Sequence, residues 1–96
     1  QYKYIVTEFL LSLHSEPNQT IYDTIYDASP KELAAMAQRY LHDGIPSRAT
    51  YCYERLIYLG CLRRTGYLRL ALVYTKQGKD NAAERVLNRY RAIYKY

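Results

Sequence analysis

Apolar side chains recur at helical spacing along almost the whole chain. In residues 2–13, Ile5, Phe9, Leu10 and Leu13 share one face, which predicts a helix ending near His14 and Ser15, where Glu16-Pro17-Asn18 breaks it. In "TIYDTIYDA", residues 20–28, Ile21, Tyr22, Ile25 and Tyr26 again fall one, four and five apart. A second helical segment is expected there, against the strand preference of its β-branched residues. The clearest local signal is "SPKE", residues 29–32. Ser29 is placed as an N-cap, Pro30 as the first helical residue and Glu32 as the far side of a capping box. The helix that follows carries Leu33, Met36, Ala37 and Tyr40 on one face and stops at Gly44, a residue suited to the left-handed closing conformation. Pro46 opens the next, with Ala49, Cys52, Tyr53 and Leu56 as its stripe, up to Gly60. Tyr67, Leu70, Ala71 and Tyr74 line a further helix that ends at Gly78, and Asp80 is positioned to cap a last one carrying Ala83, Val86, Leu87 and Tyr90. The chain reads as all-α, a succession of antiparallel helix hairpins.

The last four helices repeat. A shift of 34 residues, with no insertion, superposes Ala37 on Ala71, Tyr40 on Tyr74, Gly44 on Gly78, Ala49 on Ala83 and Arg55 on Arg89. Leu33 meets Tyr67, Met36 meets Leu70, Cys52 meets Val86, Tyr53 meets Leu87 and Leu59 meets Ile93. The alanines fit where two helices of a hairpin approach closely, and the glycines fit the reversal between them. Such a period belongs among stacked helical repeats.

These residues resemble the tetratricopeptide repeat family. Leu33 and Tyr67 match its large first-helix residue, Met36-Ala37 and Leu70-Ala71 its leucine-small pair, and Tyr40 and Tyr74 its central aromatic. Gly44 and Gly78 match the turn glycine, Ala49 and Ala83 the second-helix alanine, and Tyr53 the second-helix aromatic, replaced by Leu87 in the second unit. Leu56 and Tyr90 depart from the later small residue, and the proline that usually ends a repeat is missing after Leu59. Repeats of similar length, such as the Sel1-like kind, are the alternative suggested by "YLG" at 58–60. The resemblance implies a right-handed superhelical stack of antiparallel hairpins, an α-solenoid, in one domain. Residues 30–63 form its first repeat, 64–96 its second, and 1–29 a degenerate N-terminal hairpin or cap.

Composition adds an uneven charge and a surplus of one aromatic. The 96 residues include thirteen tyrosines, one phenylalanine and no tryptophan, and carry a formal net charge of +5. Residues 1–59 hold five Lys/Arg against seven Asp/Glu, and residues 60–96 hold nine against two. A basic C-terminal half favours an acidic partner surface over nucleic acid. Cys52 and Cys61 lack zinc-ligand or redox-motif spacing, so a reduced thiol pair in an intracellular, cytoplasmic setting is expected. No stretch is long enough to span a membrane, no targeting segment is visible, and Gln1 in place of methionine suggests a processed chain or a piece of a longer parent.

Catalytic chemistry is not expected. His14 and His42 lie at hairpin ends with no nucleophile beside them, the serines lack a nucleophile elbow, and the glycines form no phosphate loop. Neither a cofactor nor a metal is implied. The resemblance implies a protein-binding module, an adaptor, scaffold or chaperone, whose concave face is built by the first helix of each hairpin. Carried over by spacing, the concave residues are Lys31, Ala34, Gln38 and Leu41, then Thr65, Leu68, Arg69, Leu72 and Lys76. That mixture suits a peptide or helix with apolar anchors and acidic residues. Ala34 and Gln38 stand where some members carry the lysine and asparagine that hold chaperone tails, so that specific activity is not carried over. A larger assembly such as a secretion or pilus machine would be a fitting context. Two alternatives remain open. Val86, Leu87, Tyr90, Ile93 and Tyr94 form a wide terminal stripe suited to a second copy, which would make the chain a self-associating structural subunit. "RVLNRYRAIYKY", residues 85–96, interleaves Arg85, Arg89, Arg91 and Lys95 with Tyr90, Tyr94 and Tyr96, as a nucleic-acid surface would.

Overall fold

The computed structural model describes residues 20–94. Helical residues 20–27 (α1) are followed by α2 (Pro30–His42), α3 (Pro46–Tyr58), α4 (Arg64–Lys76) and α5 (Asp80–Ile93). The helix expected over residues 2–13 lies outside the described residues. The described residues are otherwise all-α, as the periodicity required, and residues 20–27 are helical despite their β-branched content.

The starts and stops follow from local chemistry. Ser29 accepts a hydrogen bond from the Glu32 backbone N–H, and the Glu32 carboxylate accepts one in return from the Ser29 N–H at 2.8 Å, so the capping box is complete. Pro46 occupies the first turn of α3. Asp80 is not a cap: Lys79 holds that position without a side-chain bond, and Asp80 lies in the first turn, where its charge still favours the helix N-terminus. At the other ends, Gly44 and Gly78 both take φ 76°, and the residues after them close a six-to-one bond, Ile45 N–H to Tyr40 O at 2.8 Å and Lys79 N–H to Tyr74 O at 2.9 Å. This satisfies carbonyls that a helix end otherwise leaves bare.

Adjacent pairs pack most closely, α2 on α3 and α4 on α5, and α3 then joins α4. The apolar cluster is continuous from Ile25 on α1 to Val86 on α5. At the positions of closest approach Ala37, Ala49, Ala71 and Ala83 are all buried. Each lets a neighbouring helix come near enough to bury Leu33, Cys52 and Leu70 completely. The first helix leans on α3 through its tyrosines: the Tyr22 and Tyr51 rings meet edge to face at 4.8 Å, and the Arg55 guanidinium lies 3.9 Å from the centre of the Tyr26 ring.

Polar bonds fix the α3–α4 seam. Tyr74 on α4 donates its hydroxyl to Glu54 Oε2 on α3 at 2.5 Å, and Arg85 on α5 reaches the same oxygen at 2.6 Å. Burial and the adjoining Glu54 charge push the Tyr74 hydroxyl up to about 12 from its ordinary 10.0, and burial pushes the Cys52 thiol up to about 11 from 9.0.

Two tests follow from this packing. A side chain on Gly66, inside α4, would collide with Leu62 Cδ1 and lie 2.9 Å from its Cγ. Gly66→Ala is therefore expected to destabilise the chain by about 1 kcal/mol in urea unfolding, overpacking outweighing the better helix propensity of alanine. In a Leu62→Ala background the same change should become neutral or stabilising. The second test is alkaline. The unfolded chain releases the Cys52 and Tyr74 protons near pH 9 and 10, whereas the folded chain keeps them to about 11 and 12. Their stabilisation is thus complete below pH 9 and lost between pH 9 and 12. Tyr74→Phe should lower the urea midpoint at pH 7 and flatten its fall above pH 10; an unchanged slope would contradict the assignment.

Candidate functional site

Two clefts open between the first helices of the two main hairpins. The larger, about 760 Å³, is bounded by Pro30, Lys31, Ala34 and Gln38 of α2 and by Thr65, Gly66 and Arg69 of α4. Tyr53 and Leu56 of α3 lie between them, and Cys61, Leu62 and Arg63 of the α3–α4 link close one end. The second, about 470 Å³, is bounded by Leu41, Gly44 and Pro46 on one side and by Arg69, Leu72, Val73, Lys76 and Gln77 on the other. Arg69 borders both.

Eight of the nine residues taken from sequence as concave therefore line these two clefts. Leu68, the ninth, lines neither and is 44% exposed. The reason is periodic. On α2, positions 31, 34, 38 and 41 are three or four apart and share the face flanking that of Leu33 and Ala37, which are wholly buried. On α4, positions 65, 69, 72 and 76 share the face opposite Leu70 and Ala71. The α4 face also exposes Leu72 to 53%.

The charge of the larger cleft is one-sided. Among the described residues Lys31, Arg63 and Arg69 border it, and no carboxylate does. Beneath them, Tyr53 is 3% exposed, and its buried hydroxyl finds no acceptor among the described residues. Burial pushes that hydroxyl above its ordinary value, and the neighbouring Arg69 guanidinium draws it partly back. Sequence reasoning identified Tyr53 only as a packing residue. Its ring is that, but the residue also lines a cleft, and no spacing rule distinguishes the two. Arg63, Cys61 and Leu62 were likewise missed, because they enter through the link and not through a helical face. The two thiols differ: Cys52 is buried, whereas Cys61 is exposed and donates to Leu59 O at 3.5 Å.

The terminal stripe on α5 is placed differently from expectation. Val86 is wholly buried, and Leu87, Tyr90 and Tyr94 pack against the core, which leaves Ile93, 49% exposed, as the large apolar residue of that set in solvent. The cause is the Tyr67 ring of α4, which meets Tyr94 at 6.2 Å and Tyr90 at 6.4 Å, while Tyr90 and Tyr94 lie 5.3 Å apart. The Arg64 guanidinium sits 4.7 Å from the Tyr94 ring centre. The stripe is therefore largely the inner face of the α4–α5 hairpin, and the rings expected to stack bases are engaged within the fold. Lys95 and Tyr96 lie outside the described residues.

Other sequence candidates remain at the surface. His42 is exposed, with Nδ1 3.5 Å from Asp43, which also accepts a 3.2 Å bond from Arg39. Among the described residues no group of three or more His, Cys, Asp or Glu is arranged to hold a metal, and no helix is long and apolar enough to cross a membrane. Searches against protein-family models, curated proteins and solved structures find no match to this chain.

The inner-face assignment on α5 is testable. Val86→Ala is expected to cost about 2 kcal/mol in urea unfolding, and Ile93→Ala less than about 0.5 kcal/mol. Equal costs would mean that the two side chains share one environment.

Proposed function

We propose that this chain is a protein-binding module of the tetratricopeptide-repeat kind, an adaptor or chaperone that holds a peptide or helix of another protein across the clefts between α2 and α4. The single observation that carries the reading is the convergence of exposed residues from α2 and α4 on two clefts that share Arg69, with Leu72 half in solvent between the cationic Arg69 and Lys76. An exposed leucine beside cations is a surface for an apolar anchor flanked by acidic residues.

The helix bounds support the same reading. Helices α2 and α4 begin and end 34 residues apart, α3 and α5 begin 34 apart, and Gly44 and Gly78 close the two hairpin turns with the same φ. In this reading the hairpins are successive units of a right-handed superhelical stack, with α1 covering the first. The role is binding, not catalysis. Nucleic acid is the less favoured ligand, since Tyr90 and Tyr94 are turned into the Tyr67 cluster.

Affinity capture with the wild-type chain, a Leu72→Glu variant and an Ile93→Glu control tests this directly. The wild type and the control should recover the same protein, and the α4 variant should lose at least tenfold of it, as expected when a charge enters an apolar anchor site. Equal recovery by all three would remove the clefts as the binding surface.

A further inference from the structure

The larger cleft contains an imbalance of donors and acceptors. The Tyr53 hydroxyl is a donor and acceptor, is buried, and finds no acceptor for its proton among the described residues. Its charged neighbour is Arg69, whose guanidinium donates only and therefore cannot receive the hydroxyl proton. Lys31 and Arg63, also on the cleft, are donors only as well. A buried hydroxyl without an acceptor is costly to keep, and here the surrounding side chains add cations instead of supplying the missing oxygen. Gln38 is the neutral polar side chain on the α2 wall, and Ala34 beside it is apolar.

We propose that the cleft takes the carboxylate of an aspartate or glutamate side chain from the bound protein segment, seated between the Tyr53 hydroxyl and the Arg69 guanidinium. The proposal rests on the protein-binding reading above and gives that site its anchor. A carboxylate has no proton to donate and accepts several bonds, so one group satisfies both the α3 hydroxyl and the α4 guanidinium. Arg69 is exposed and adjoins the hydroxyl, so an incoming oxygen can reach both groups together. Lys31 and Arg63 add attraction at longer range and raise the rate of encounter with an acidic segment. Because Arg69 also borders the second cleft beside Leu72, a partner with an acidic residue near an apolar one would occupy both.

The test uses the full chain and a phage-displayed library of random twelve-residue peptides. Selected peptides should carry Asp or Glu at one shared position and lose binding to the Leu72→Glu variant. Replacing that acidic residue by its amide, or Arg69→Gln in the protein, should each weaken binding about tenfold, and the two together little more than either alone. Tyr53→Phe should weaken it about fivefold while leaving the thermal midpoint of the free chain unchanged or higher, because the lost hydroxyl has no acceptor there among the described residues. A fall in that midpoint would give the hydroxyl a structural role, and the exposed Arg69 would then decide the matter through its coupling to the acidic residue. Peptides that need Leu72 but are indifferent to Arg69→Gln would overturn the carboxylate anchor and leave the binding function standing. Peptides indifferent to Leu72→Glu, or a library that yields none, would overturn both.

Discussion

The bond pair on Glu54 sets how one half of the molecule sits on the other. A single carboxylate oxygen on α3 accepts from Tyr74 on α4 and from Arg85 on α5, so three helices of two hairpins are referred to one atom. Apolar contact is tolerant of small slides and rotations, whereas two short bonds to one oxygen are not. The clefts inherit their shape from this point, because α2 travels with α3 and α4 is held by Tyr74. If the seam rotated, Lys31 and Arg69 would face different directions.

Within each hairpin the constraint is steric. The small alanines and the glycines at the turns bring the helices close, which hides one face of every helix and leaves another face of α2 and α4 exposed among the described residues. The binding surface proposed here is therefore a by-product of close hairpin packing: the tighter the inner faces, the more the remaining side chains are grouped on one side. The α5 stripe shows the converse, since Tyr67 is large enough to gather Tyr90 and Tyr94 inward and withdraw them from solvent.

Much of this was legible in the chain. Ser29, Pro30 and Glu32 announced a helix start, Gly44 and Gly78 announced its end, and the spacing of Lys31, Ala34, Gln38 and Leu41 put them on one face. Each depends on neighbours within a few residues. What escaped depends on distance along the chain. Glu54 has partners 20 and 31 residues away, and nothing about its own surroundings marks it. The stripe of α5 looked wider than one hairpin partner needs, yet the size of Tyr67 on the facing helix supplies cover for Tyr90 and Tyr94. Tyr53 was read as a packing residue and is one, but periodicity places a residue and is blind to the separate fates of its ring and its oxygen.

The pair of cysteines carries a practical consequence. Cys52 is enclosed by the hairpin and holds its proton to about pH 11, so at neutral pH it is nearly inert toward electrophiles and oxidants. Cys61 stands in solvent at the end of the larger cleft. The native sequence thus offers one selective attachment point for a fluorophore or spin label, at the rim where an incoming segment would pass, with no engineered residue required.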